Sequence, residues 1–353
     1  MENGILKVGI IGCGNIANAF HIPWYKKSSN AEIVALCDVD KQKLVKAAKR
    51  FEVSNIYKDY KELLKRDDID SIDVCTSSYT HFQIVVDACK AGKNVLCQKP
   101  MANSIDEATT MVNVARENNV KLGIIYMFRF RNEYLHLKRY LTNGQLGQLT
   151  TIRGRMAHAG GFGIKPEDWR YSFQKGGGSF CLLGVHHVDL FRWLNGPVKR
   201  VCAISKTLKC NMQGDDTMAA IMEFEDGVIG VIDTGYTVSA PGNTIVEVYG
   251  DKGAVLINQS DRSFQLYIEK NIEKKISYTE QMEENHWQKK NIDKLKKLSN
   301  FDNYIEHWID CIINDKEPVT PGEEGMASLE IVLAAYESAV TGKWVELKHQ
   351  NWR

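Results

Sequence analysis

The chain has 353 residues, 44% of them hydrophobic and 25% charged, with a net charge of +1 at neutral pH. That length is too great for one ordinary core and suits two domains, and the charge gives no electrostatic case for nucleic acid or an anionic membrane as a partner. The nine cysteines, an odd number without C-x-x-C spacing, predict reduced thiols in a cytoplasmic protein, not a disulfide framework.

Residues 8–11 form a short apolar β-run that breaks into Gly12-Cys13-Gly14-Asn15-Ile16-Ala17, a G-x-G-x-x-A turn opening a helix. With a strand there, no signal peptide is expected, and no apolar run approaches bilayer-spanning length. The first glycine permits the tight turn, the second lets backbone approach a pyrophosphate, and Ala17 lets the helix pack closely on the strand. The helix N-terminus offers free N–H groups to phosphates. A second strand ends in Asp38, 26 residues after Gly12, near the spacing of a carboxylate that grips ribose hydroxyls. Together these predict a dinucleotide site in preference to an ordinary βα turn with a surface acid. Val39 and Asp40 follow with no arginine, so NAD is expected over NADP.

Strands are expected near 7–12, 32–37, 55–57, 71–76, 94–97 and 121–126, alternating with helices near 15–27, 40–51, 59–66, 80–92 and 104–119. Ser104-Ile105-Asp106-Glu107 is a capping box. Such alternation implies a parallel sheet covered on both faces, with ligands at the carboxyl ends of its strands. Cys13, Cys37, Cys75 and Cys97 fall at those ends and read as small apolar fillers under a cofactor.

After Arg131 the pattern changes. A helix near 132–143 stops at Gly144, and extended segments follow at 147–159, 198–208, 216–225, 228–238, 244–249, 254–258 and 263–268, with one helix near 179–194 among them. Helices near 301–314 and 322–341 close the chain, and the polar stretch 270–298 reads as a mobile excursion. The expected fold is α/β: an N-terminal Rossmann domain with a doubly wound parallel sheet over 1–126, then an α+β domain with a large, open, mostly antiparallel sheet over 127–353. Met218, Ile221 and Met222 are expected on an exposed sheet face, which would favour homo-oligomers, dimers or tetramers.

Two constellations carry chemistry. Cys97-Gln98-Lys99-Pro100 ends a strand, and a lysine there points into the cleft where an ammonium favours a developing alkoxide; the plain alternative is a surface lysine. Gly176-Gly177-Gly178 suits backbone passing close to a ligand, and His186 follows inside an otherwise apolar helix. His186 suits acid/base work, against the common alternative of a core histidine. His186 and Asp189 lie one turn apart without a third ligand at helical spacing, so no metal is expected.

KVGIIGCGNIA, Asp38, Thr80-His81, AGKNVLCQKP, Arg129-Phe130-Arg131, GGGSFCLLGVHHVDL and the tail EPVTPGEEGMASLEIVLAAYESAVTGKWVEL occur in an order that resembles the Gfo/Idh/MocA family, the glucose–fructose oxidoreductase and inositol dehydrogenase relatives. The resemblance implies a Rossmann domain, a substrate domain that often carries the oligomer interface, a nicotinamide cofactor and a polyhydroxylated small-molecule substrate. Residue by residue it implies that Lys99 and His186 are catalytic. It puts Gly12, Gly14, Asn15, Ile16, Asp38, Thr76, Ser77, His81, Gln98 and Lys99 at the cofactor. It puts Lys99, Arg129, Trp169, Arg170, His186 and His187 at the substrate. Two positions depart from the family: the glutamate before the lysine is Gln98, and the aspartate four residues before the histidine is Leu182. His186 is then either an unaided base or is oriented by another acid, for which Asp189, Glu167 and Asp168 are the candidates.

The expected reaction is oxidation of a secondary hydroxyl of a sugar or glycoside, first at C3 of a glucose-like ring, with hydride passing to NAD. The alternatives are a cyclitol dehydrogenase, a redox-neutral glycoside cleavage with bound NAD, and a non-catalytic NAD sensor.

Overall fold

The computed structural model describes residues 4–238, 243–269, 287–292 and 295–348. Two sheets organise the chain. The first contains β1 (Leu6–Ile11), β2 (Ala31–Cys37), β3 (Ile56–Tyr57), β4 (Ser71–Val74), β5 (Asn94–Cys97) and β6 (Leu122–Ile124), all parallel, in the order β3-β2-β1-β4-β5-β6. The order reverses between β1 and β4, so the ligand crevice lies at their carboxyl ends.

The crossovers run through α1 (Ile22–Lys27), α2 (Lys41–Phe51), α3 (Tyr60–Leu64), α4 (His81–Lys90) and α5 (Ile105–Glu117). A π-helical stretch, Ala17–His21, leads into α1, so the single helix expected over 15–27 contains a widened turn. Ser104 caps α5 by accepting from Glu107 N, while the Glu107 carboxylate reaches Asn103 N, one residue before the usual capping-box partner.

The second sheet follows α6 (Asn132–Thr142). It contains β7 (Leu149–Ala157) and, after α7 (Val185–Asn195), β8 (Val198–Lys206), β9 (Thr217–Phe224), β10 (Ile229–Gly235), β11 (Asn243–Gly250), β12 (Gly253–Asn258), β13 (Ser263–Glu269) and β14 (Trp287–Asn291). Then come α8 (Tyr304–Ile313), α9 (Gly322–Thr341) and the short edge strand β15 (Val345–Glu346). The order is β14-β13-β12-β11-β7-β10-β9-β8-β15, antiparallel except where β10 runs parallel to β7. β14 falls inside the stretch read from sequence as an excursion; residues 270–286, in the same stretch, lie outside the described residues.

On β9, Met218 and Met222 are buried and Ile221 is 45% exposed. The sequence expectation that all three share an exposed face is corrected, because side chains alternate along a strand and 218 and 222 have the opposite parity to 221.

The chain also returns to its beginning. Trp308 on α8 is fully buried against the parallel sheet, and its Nε1 donates to Ser71 Oγ at 3.0 Å. A Cβ at Gly123 would lie 2.8 Å from that indole, so only glycine lets β6 pass beneath it. One face of the first domain is thus covered by a helix from the far end of the sequence. Among the described residues no helix is long and apolar enough to cross a membrane.

Candidate active site

Gly12 takes φ +99°, and a Cβ there would lie 2.6 Å from the Cys75 carbonyl carbon. The first glycine is therefore fixed by both conformation and the neighbouring strand. At Gly14 an added Cβ meets open space, and Asn15 and Ile16 beside it are exposed, while Ala17 is fully buried against the strand. This is the shape a pyrophosphate needs at a helix N-terminus. Asp38 is held in place at the end of β2: Cys13 N donates to Oδ2 at 2.7 Å and Asp40 N to Oδ1 at 2.8 Å. The residues present thus fit a dinucleotide. Burial, with help from the Asp38 charge, pushes the Cys13 and Cys37 thiols up to about 12, which keeps them as neutral fillers.

The loops after β4 and β5 are braced by His81. Its buried ring lies 2.9 Å from the Pro100 carbonyl and 3.1 Å from that of Thr76, so it ties the two loops together. Lys99 follows β5 and is partly buried, and burial draws its ammonium down to about 8. Its Nζ donates to the Leu182 carbonyl oxygen at 2.6 Å. That carbonyl belongs to a π-helical turn, Phe180–Gly184, which leads into α7. The Leu182 side chain lies in a small apolar cluster with Ile164, Leu183, Cys210, Met212 and Tyr236.

His186 is buried and stacks on Phe128, with ring centroids 5.1 Å apart. Burial first, and the Lys99 charge second, hold its pKa well below the ordinary histidine value. Its Nδ1 is buried without a hydrogen-bond partner. The carboxylates named from sequence lie elsewhere. Asp189 is engaged by Arg129, Asp168 is paired with Arg170, and Glu167 is exposed. Burial and the Lys99 ammonium thus favour the neutral form of His186, and among the described residues no carboxylate bonds its ring.

Other expected residues fall in different places. Arg129 is buried; its Nε and Nη2 donate to Asp189 at 3.0 and 2.6 Å, and Nη2 also donates to Glu324 at 2.9 Å. A guanidinium engaged in this way ties α7 to α9 and has no free fork for a substrate. His187 is fully buried against β7, where a Cβ at Gly154 would lie 2.4 Å from its ring. It faces the sheet, one helix position away from His186.

Trp169 and Arg170 are partly exposed, Trp169 packing on the Leu182 cluster and Arg170 pairing with Asp168. Their segment is tied to the first domain, with Ser78 Oγ donating to Lys175 O at 3.0 Å and Lys175 Nζ lying 5.3 Å over the Tyr79 ring. The three glycines sit against protein: Gly176 on Ser78 and Asn103, Gly177 on the Arg170 carbonyl, Gly178 on Asp215 and Tyr336. Close packing of the chain on itself accounts for them, in place of the ligand approach expected from sequence.

Two buried groups carried no local signal. Asp215 anchors the start of the π turn, accepting from Ser179 Oγ at 2.5 Å, Phe180 N at 3.0 Å and Tyr336 OH at 2.6 Å. His21, Asp73 and Cys75 meet under the cleft. Only an isolated histidine in the first helix and an aspartate inside an apolar strand could have hinted at that cluster.

The chain belongs to the Gfo/Idh/MocA oxidoreductase family: residues 6–126 match its NAD-binding Rossmann fold and residues 138–347 its C-terminal alpha/beta domain. It is similar to the D-apiose dehydrogenase of Paraburkholderia graminis, 28% identical over 97% of this chain and 90% of that one. It is also similar to the D-glucoside 3-dehydrogenase of Escherichia coli, 26% identical over 98% of this chain and 99% of that one. Among solved structures it resembles the WlbA dehydrogenase of Bordetella pertussis in complex with NADH and UDP-GlcNAcA. That likeness has a TM-score of 0.79 and 25% identity, and covers 98% and 99% of the two chains.

Proposed function

We propose that this member of the family oxidises a secondary hydroxyl of a sugar or glycoside, with C3 of a glucose-like pyranose as the first candidate. The observation that carries the reading is the meeting of Lys99 and His186 at the carboxyl end of the Rossmann sheet. There the partly buried Lys99 ammonium lies close enough to the buried His186 ring for its charge to favour the neutral imidazole. The names of similar proteins, which act on apiose and on glucosides, support the substrate class.

Gly12, Gly14, Asn15, Ile16 and Asp38 would hold the dinucleotide, with Thr76, Ser77, His81 and Gln98 lining the nicotinamide half. When bound, the nicotinamide accepts the hydride. Lys99 donates to the reacting oxygen and favours its negative charge as the C–H bond breaks. His186 takes the hydroxyl proton on a ring nitrogen, which its low pKa keeps free at neutral pH. Trp169 and Arg170 are the substrate contacts retained from the family pattern.

Two broader features belong to the same reading. A cytoplasmic location is supported by nine cysteines that are all free. Homo-oligomers, dimers or tetramers, are supported by the outer face of the second sheet, where Ile204, Ile221 and Ile229 are exposed.

The test is a panel of sugars, glycosides and cyclitols with NAD, followed by nicotinamide absorbance, with the product mass showing the loss of two hydrogens. Substrate-dependent NADH with a keto-sugar product is expected. Aglycone release without net NADH, or NAD binding with no turnover on any member, would overturn the proposal.

A further inference from the structure

A buried chain of hydrogen bonds runs beneath Lys99. Asp73 Oδ2 lies 2.8 Å from His21 Nδ1, His21 Nε2 lies 2.6 Å from Gln98 Nε2, and Gln98 Oε1 accepts from Lys99 N at 3.3 Å. His21 and Asp73 are essentially inaccessible and Gln98 is buried. The amide oxygen of Gln98 is engaged by Lys99, so its nitrogen is the donor to His21 Nε2. The ring therefore carries its proton on Nδ1 and donates it to Asp73. Cys75 closes the group, its thiol 3.4 Å from Asp73 Oδ1 and 3.1 Å from His21 Nδ1.

The π-helical stretch Ala17–His21 ends on this histidine. The widened turn lies directly after the glycine-rich loop, and such turns recur at functional sites. Asn18, on the same stretch, donates to the carbonyls of Cys13 and Gly14. One short helical segment thus contacts the phosphate turn at one end and the Gln98-Lys99 strand end at the other.

We propose that His21 and Asp73 are positioning residues for Lys99, holding the Gln98-Lys99 peptide so that the ammonium meets the Leu182 carbonyl and the reacting oxygen. The proposal rests on the assignment of Lys99 made above. The chain ends on an amide, so it fixes Lys99 in place without adding an anion beside it. The titratable groups near Lys99 are Cys181 and His186 on the helix opposite and His81 on α4.

Two variants cut the chain at different points. His21→Asn keeps a donor toward Asp73 and is too short to meet Gln98. Gln98→Met removes both amide bonds and leaves the His21–Asp73 pair intact, so it serves if His21→Asn does not fold. Each is expected to lower kcat by about 10- to 100-fold, the scale of a misplaced catalytic group, and in His21→Asn the NAD affinity measured by calorimetry should stay within about twofold. In a Lys99→Ala background neither should lower kcat further, because both act through that lysine. In the cofactor-free protein, acetylation of Lys99 read by mass spectrometry should speed several-fold in either variant, as the ammonium loses its fixed place.

Losses that add to that of Lys99→Ala, or unchanged Lys99 acetylation in both variants, would overturn the positioning role. Near-normal turnover of Lys99→Ala alone would instead overturn the assignment of Lys99, and the proposal with it.

Discussion

The Lys99 ammonium donates a 2.6 Å hydrogen bond to the backbone carbonyl of Leu182, the residue whose side chain would be a carboxylate in the family pattern. A neutral carbonyl compensates the charge less than a carboxylate would, so burial dominates and draws Lys99 down to about 8. If the charged lysine stabilises the alkoxide, kcat/KM should fall as pH rises through about 8. Lys99→Arg should be slower at neutral pH and should lose that alkaline limb, since its guanidinium stays charged. A rate that rises through the same range would instead make Lys99 the base.

Leu182→Asp tests the acid limb. Among the described residues no carboxylate bonds the His186 ring, and its Nδ1 has no partner. A carboxylate at 182 should therefore raise the kinetic pKa of the base in a pH–rate profile. It should also cost stability, about 2–4 kcal/mol in chemical denaturation, because it replaces an apolar side chain packed against Ile164, Met212 and Tyr236. The π turn between the two positions sets them off the i, i+4 alignment of an α-helix, so the pKa shift should be modest.

Arg129→Met should unfold the protein more easily without a specific catalytic defect. It leaves Asp189, fully buried, facing no guanidinium fork. A loss of about 3–5 kcal/mol is expected in urea titration. The KM of the folded fraction should stay near that of the parent; a large rise in KM would return Arg129 to the substrate site.

His187 gives a pH signature of stability. Burial lowers its pKa from 6.5 to about 4, so between those values the unfolded chain binds a proton that the folded chain does not. Stability should therefore be lost as pH falls from 6.5 toward 4, by up to about 3 kcal/mol from this residue. His187→Leu should flatten that part of a Tm-against-pH curve. An unchanged slope would show that the loss comes from other histidines.

Asp38→Ala should weaken NAD binding about tenfold and narrow the preference for NAD over NADP, as read by direct titration. The variant also frees the Cys13 and Asp40 amides that the carboxylate now accepts from. Undiminished discrimination against NADP would place the selectivity elsewhere.

The sequence by itself determined the parts whose chemistry is local. A glycine forced by a tight turn, an acid at the end of β2 and a lysine at the end of β5 all follow from residues a few positions apart, and these are where the structure has them. Tertiary structure alone decided the partners. The family resemblance puts Arg129 and His187 at the substrate, yet one is claimed by Asp189 and Glu324 and the other by the sheet at Gly154. His21 meets an aspartate 52 residues away and a glutamine 77 residues away. Lys99 finds its acceptor 83 residues on, at a backbone carbonyl that side-chain identity does not encode. A buried polar group must be satisfied by whatever the packing brings within 3 Å or so, and that depends on strand order and crossover, not on neighbours along the chain.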